Sequence, residues 1–219
     1  MSKRNGNMRK RNDPSRKRTP KLGYYIIFTD TVETECNYIK GFRDSIPNDT
    51  KNNIVIIVRK VNTVDLLDKA ISEVTLQTQY RQPWIIFDRD EVDNFDKIIS
   101  DATEKGVKVG WSNPCIETWF HAHFENPPNV STSRSCISKF GTVYKNNIKQ
   151  RYEKNDESIY KKLQQYGDEK TAIEKMRVKK NTYLSKKPSD MQGYSSIHEL
   201  IDEINGKTKK SNYNQIKMD

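Results

Sequence analysis

The chain has 219 residues, 33% of them hydrophobic, and a formal net charge of +10. That length suits one domain with appendages; with no run of about 18 apolar residues and no leader pattern, a cytoplasmic protein without a membrane segment is expected. Cys36, Cys115 and Cys136 are odd in number, widely spaced and without a C-x-x-C pair, which argues against a disulfide framework and a zinc knuckle.

In chain order, residues 1–21 carry nine Lys/Arg against Asp13 alone, a net of +8, and show no apolar period. They are expected to form a disordered basic arm. Residues 22–138 invert the balance, with twelve bases against seventeen acids. They open on Tyr24-Tyr25-Ile26-Ile27-Phe28-Thr29, an apolar run suited to a strand buried on both faces, which ends at Asp30. From about Glu33 the spacing of Tyr38, Ile39 and Phe42 predicts a helix. Ile54-Val55-Ile56-Ile57-Val58 is the next strand, and Asn62 and Thr63 are cap candidates for a helix striped by Leu66, Leu67, Ala70, Ile71 and Val74. Trp84-Ile85-Ile86-Phe87 makes the third strand and runs directly into Asp88-Arg89-Asp90-Glu91. A helix from about Asp93 carries Phe95, Ile98, Ile99 and Ala102 and stops before Gly106. Val107-Lys108-Val109-Gly110-Trp111 is the fourth strand. Ser112-Asn113-Pro114 is expected to open another helix, proline suiting a first turn.

Strand and helix alternate four times with short turns between, which predicts an α/β domain over 22–138: a parallel four-stranded sheet with helices on both faces. Open sheets of this kind place ligands at the carboxyl ends of their strands. If the first and third strands are neighbours, Asp30 and Glu35 converge on Asp88 and Asp90. Side chains two apart on an extended segment point the same way, so Asp88 and Asp90 can face one ion-sized space. Clustered carboxylates raise one another's pKa unless a cation neutralises them, and Mg²⁺ or Mn²⁺ suits an oxygen-only donor set. Glu91 faces either that ion or solvent. Glu117, after Pro114, has three readings: proton acceptor, ligand of a second ion, or favourable charge at its helix's positive end. Arg89, between the two aspartates, points to the opposite face. His121 and His123 are about 200° apart on a helix and poorly placed to share a metal. Neither G-x-x-x-x-G-K-[ST] nor G-x-G-x-x-G occurs, so the chain is not expected to be a nucleotide-hydrolysing motor or a dinucleotide enzyme.

Residues 139–187 return to fourteen bases against six acids. Apolar residues such as Tyr144, Ile148, Tyr152, Ile159, Leu163, Ile173 and Met176 recur within this basic surface. A helical extension over 139–219 that packs on the domain is expected, and its Lys/Arg interleaved with aromatics suits a nucleic-acid backbone, DNA or RNA.

Three stretches in this order, Thr34-Glu35-Cys36-Asn37-Tyr38, Phe87-Asp88-Arg89-Asp90-Glu91 and Ser112-Asn113-Pro114-Cys115-Ile116-Glu117-Thr118-Trp119, resemble the RloB family of bacterial defence proteins. Gly193-Tyr194-Ser195-Ser196-Ile197-His198-Glu199-Leu200 is similar to that family's closing segment. The resemblance implies a toprim-like fold and a Mg²⁺-dependent nuclease acting in abortive infection against phage. Asp30, Glu35, Asp88 and Asp90 would be its acids, and a companion ATPase its partner; a homo-oligomer is compatible with it. The alternative is a catalytically weak toprim module that serves as a nucleic-acid-binding or ATPase-binding scaffold. Where the family usually has Glu-Gly after its first strand, this chain has Asp30-Thr31. The shorter side chain draws the carboxylate back by about 1.5 Å. Either a water bridges the gap, or Glu35 carries more of the load, or the site is weakened.

Overall fold

The computed structural model describes residues 25–206 apart from 30, 59–62, 77–81 and 91. The basic arm at 1–21, Asp30 and Glu91 therefore lie outside the described residues. The continuous apolar runs form strands: β1 (Tyr25–Thr29), β2 (Ile54–Val58), β3 (Gln82–Asp88) and β4 (Lys108–Asn113). β1 is buried along its whole length and β3 through Phe87, as expected of strands with covered faces. The order is β2-β1-β3-β4-β5, and the first four strands pair in parallel. β1 and β3 are neighbours, with Thr29 opposite Ile86, which is the adjacency that convergence of the acids required.

The described sheet has a fifth strand and is mixed rather than purely parallel. β5 is Tyr194–Ser195, antiparallel to β4, with Ser195 opposite Ser112 and Tyr194 opposite Asn113. Two residues are too short to show any period, so the sequence carried no strand signal here. What fixes them is side-chain bonding. Ser112 Oγ and Ser195 Oγ lie 2.9 Å apart, and Trp111 N–H donates to Ser196 Oγ at 2.8 Å.

The helices are α1 (Thr34–Ser45), α2 (Asn48–Lys51), α3 (Thr63–Leu76), α4 (Phe95–Glu104), α5 (Glu117–Ala122), α6 (Ser133–Ile148), α7 (Ile159–Tyr166), α8 (Glu169–Thr182) and α9 (Ile197–Ile204). None is long and apolar enough to cross a membrane. Ser112 and Asn113 belong to β4, and α5 starts only at Glu117, so Pro114 is not in its first turn. The Asn113-Pro114 peptide is cis, and Asn113 Nδ2 donates to the Pro188 and Ser189 carbonyls at 3.1 and 2.9 Å. Those bonds hold Asn113 extended where a helix start was expected.

Trp111 and Gly110 show how β4 is covered on both faces. Trp111 stacks edge-on against Phe95 of α4 at 5.6 Å and lies 5.1 Å from the Tyr194 ring. One residue earlier, pointing the other way, Gly110 lies under α9: a Cβ there would sit 3.1 Å from Ile197 Cδ1 and 3.3 Å from Ile86 Cγ1. Elsewhere α1 meets α7 so closely that a Cβ on Gly41 would lie 2.5 Å from Tyr160 Cβ. Residues from both halves of the chain thus build one hydrophobic core, from Ile26 and Phe28 through Trp119 and Phe140 to Leu200.

Candidate active site

Asp88 is the last residue of β3 and half-buried at the sheet's carboxyl rim. Its Oδ2 accepts the Ile116 N–H at 3.1 Å. The turn after it is fastened to β4 and the loop beyond: Arg89 N–H donates to Ser112 O at 2.9 Å and Asp90 N–H to Pro114 O at 3.2 Å. Asp90 itself is exposed.

Glu35 sits in the first turn of α1, only 5% exposed, and takes a short hydrogen bond from the Thr31 hydroxyl. Glu117, the first residue of α5, is 1% exposed and accepts the Tyr152 hydroxyl on Oε1 at 2.9 Å. Burial of the Tyr152 hydroxyl, and the negative charge of Glu117 against it, push its pKa far above the usual phenol range. Tyr152 therefore stays protonated and donates.

Two residues of this cluster were not legible as site residues. Tyr152 read as one of several apolar positions, and Lys154 as one base among many. Both come from the segment joining α6 to α7, which is laid across the sheet rim by side chains of α1. Thr34 Oγ1 donates to Lys154 O at 3.0 Å, and Asn37 Nδ2 donates to Asn155 O at 3.3 Å. Lys154 is exposed at the surface. Desolvation pulls its ammonium down, but Glu117, then Cys115, Asp88 and Glu35, more than reverse this and hold its pKa above the usual lysine value. Acids from α5, β3 and α1 thus share the field of one cation. The contacts span 35 to 120 positions of sequence, a separation no local pattern reports.

The same contacts give the T-E-x-N-Y stretch at 34–38 a physical meaning. Its Thr and Asn fasten the Lys154 segment, its Glu points into the cluster, and its Tyr38 packs against Trp119 and Phe120, at 6.5 and 5.3 Å between centroids. Trp119 is the closing residue of the S-N-P-C-x-E-x-W stretch. Cys115 and Cys136, distant in sequence, meet here as free buried thiols; the hydrogen bond between them, burial and then Glu117 hold the Cys115 thiol well above its ordinary pKa.

The histidines stay out of the cluster. His121 Nε2 pairs with Glu125 Oε1 at 2.9 Å, while His123 donates from Nδ1 to Trp119 O at 3.0 Å and buries Nε2 without a partner. Desolvation lowers the His121 pKa and takes that of His123 down to about 4.

The donors at the rim are carboxylate oxygens, the chemistry that hard divalent cations take. Among the described residues no three acidic, His or Cys side chains converge closely enough to enclose an ion. The fit is therefore to an ion that binds through one or two carboxylates and completes its shell with waters and a substrate phosphate, which is how Mg²⁺ is usually held.

No curated protein and no solved structure matches the chain. A family model does, the one described as RloB-like protein, over residues 25–204, the span from β1 through the last residue of α9. The chain belongs to the RloB-like family.

Proposed function

We propose that this chain is a metal-dependent nuclease with a toprim-like catalytic layer, acting on DNA or RNA as the effector of an anti-phage system alongside a companion ATPase. The observation that carries the reading is Asp88 at the carboxyl rim of a largely parallel sheet, bonded to the Ile116 N–H, with the charges of Asp88, Glu35 and Glu117 all acting on Lys154. Asp88, with one of Glu35, Asp30 or Asp90 as a second carboxylate, would hold Mg²⁺ or Mn²⁺. Such an ion lowers the pKa of a bound water and offsets charge on a phosphodiester in transit to products. Lys154, exposed beside the rim, draws the phosphate toward it and offsets part of its charge. Glu117, already engaged by Tyr152, orients the segment that carries Lys154.

A second reading has its own support. Lys154 already neutralises part of the acid cluster, and Asp30-Thr31 stands where the family usually has Glu-Gly; both suit a module that binds nucleic acid or an ATPase without cutting. One experiment separates the two. Purified protein, with and without the companion ATPase, is incubated with mixed tRNA and with plasmid DNA in Mg²⁺ or Mn²⁺. The nuclease reading expects cleavage that Asp88→Asn reduces by about 100-fold or more. That substitution leaves an oxygen for the Ile116 N–H, so folding is retained. Absence of cleavage in every combination, with nucleic-acid binding unchanged by Asp88→Asn, overturns it in favour of the scaffold.

A further inference from the structure

The outward face of α6 contains a trough that the site above does not use. Ser138, Gly141 and Thr142 are small and lie three and four positions apart, so they leave a furrow along the helix. Gly141 has no neighbouring atom within 4 Å of where a Cβ would stand, so the furrow is open at its centre. The helix ends at Lys149, which adopts φ 63°, and the reversal brings Arg151 and Tyr152 back alongside as the opposite wall. The cavity measures about 460 Å³, within the range of sites for small ligands. Ile137 and Tyr152 give it an apolar floor, Asn146 an amide, and Lys145 and Arg151 two cations, the Arg151 Nε lying 3.4 Å from Glu153 Oε1 in an exposed pair that a phosphate can replace. The Tyr152 ring packs on Phe140 at 4.8 Å, and its hydroxyl reaches through to Glu117 at 2.9 Å. One side chain therefore separates the trough from the acid cluster. A larger cavity of about 560 Å³ beside Tyr183 includes Asp190 in its lining and shares no residue with that cluster.

We propose that this trough holds a nucleotide of a single-stranded polynucleotide next to the phosphodiester at the rim, its phosphate between Lys145 and Arg151 and its apolar faces over Ile137 and Tyr152. The proposal rests on the nuclease reading for the identity of the reaction, but the trough's own chemistry names the ligand class. A phosphate suits a cationic pair, and a sugar or base edge suits an apolar floor bordered by an amide and hydroxyls.

The test uses the full chain and three variants: Gly141→Leu, which fills the furrow, and Lys145→Glu and Arg151→Glu. Leucine is the better helix former and meets open space, so Gly141→Leu folds. Binding of a short fluorescein-labelled single-stranded oligonucleotide is read by anisotropy in EDTA, and hydrolysis of bis(p-nitrophenyl) phosphate is read in Mn²⁺. Each variant is expected to weaken oligonucleotide binding by about tenfold or more. Each charge reversal is also expected to flatten the salt dependence by about one unit of log–log slope. Hydrolysis of the small diester, which does not reach the trough, is expected at the wild-type rate. Wild-type oligonucleotide affinity in Gly141→Leu overturns the proposal, even if the charge reversals weaken binding, because that pattern describes a diffuse basic surface. If the wild-type protein hydrolyses neither diester nor polynucleotide, the nuclease reading fails, while the anisotropy data still decide the trough.

Discussion

The half of the chain that builds β1–β4 and the half that follows Thr132 are differently constituted and mutually dependent. The first is acidic and apolar-striped; it supplies Glu35, Asp88 and Glu117 at strand and helix ends. The second is basic and helical, and its hydrophobic positions are intermittent. Yet the second half supplies Tyr152 and Lys154 to the acid cluster, β5 to the sheet and Ile197 to the cover of Gly110. The difference teaches that buried acids need partners from outside their own local segment, because a strand-end carboxylate cannot be desolvated by neighbours that are themselves acidic. Charge asymmetry between the halves is the condition for their meeting at one rim.

Several measurements would break or sharpen that contrast, and the largest effect is expected from severing it. A chain ending at Ser138 loses most of α6, all of α7, α8, β5 and α9, and leaves the edge of β4 unpaired. It should show no cooperative thermal transition by circular dichroism, and a normal melt would establish the acidic half as self-sufficient. Next is Trp119→Ala. Trp119 is fully buried between Tyr38 and His123, and its removal should cost about 3–5 kcal/mol in urea denaturation.

The acid limb of stability comes third. His123 has a folded-state pKa of about 4 against an ordinary value near 6.5 when unfolded, so the unfolded chain takes up the proton first. Its contribution is whole above pH 6.5 and is lost as pH falls toward 4, a decrease of about 3 kcal/mol across that window. His121 and His198, also lowered by burial, act in the same direction. Denaturation curves at pH 7 and pH 4.5 check this, and a stability independent of pH across that interval would contradict it.

The smallest effect is the most local. Tyr152→Phe leaves Glu117 buried and without its donor and should cost about 1–3 kcal/mol. The same change in a Glu117→Gln background should cost less, since the pair is coupled. Equal losses in both backgrounds would mean that the Tyr152–Glu117 hydrogen bond does not couple the two halves.

How far the sequence could be read differs by element. β1 and β3 were legible because a run such as Trp84-Ile85-Ile86-Phe87 has one satisfactory environment, a strand covered on both faces. α1, α3 and α4 were legible from their apolar spacing, and α4 stops where Gly106 takes φ 72°. The start of α5 was misread, because Pro114 suits a first turn in general and the bonds that hold Asn113 extended come from residues 188–189. Of the site, Asp88 and Glu35 announced themselves by standing at the ends of core elements. Tyr152 and Lys154 did not, since an aromatic and a base within a basic helical region look alike whether they face water or a carboxylate.

By itself, then, the order of residues determined the alternation of strand and helix, the parallel pairing of the first four strands, and the acids Asp88 at the end of β3 and Glu35 in the first turn of α1. Periodicity and chain connectivity are local properties, and these features depend on nothing else. Only the tertiary structure decided which base meets those acids, that a two-residue strand from the far end of the chain completes the sheet, and that a furrow on α6 ends one side chain away from Glu117. Each of these is a contact between segments distant along the chain, set by shape and desolvation in the packed core, where sequence spacing carries no information.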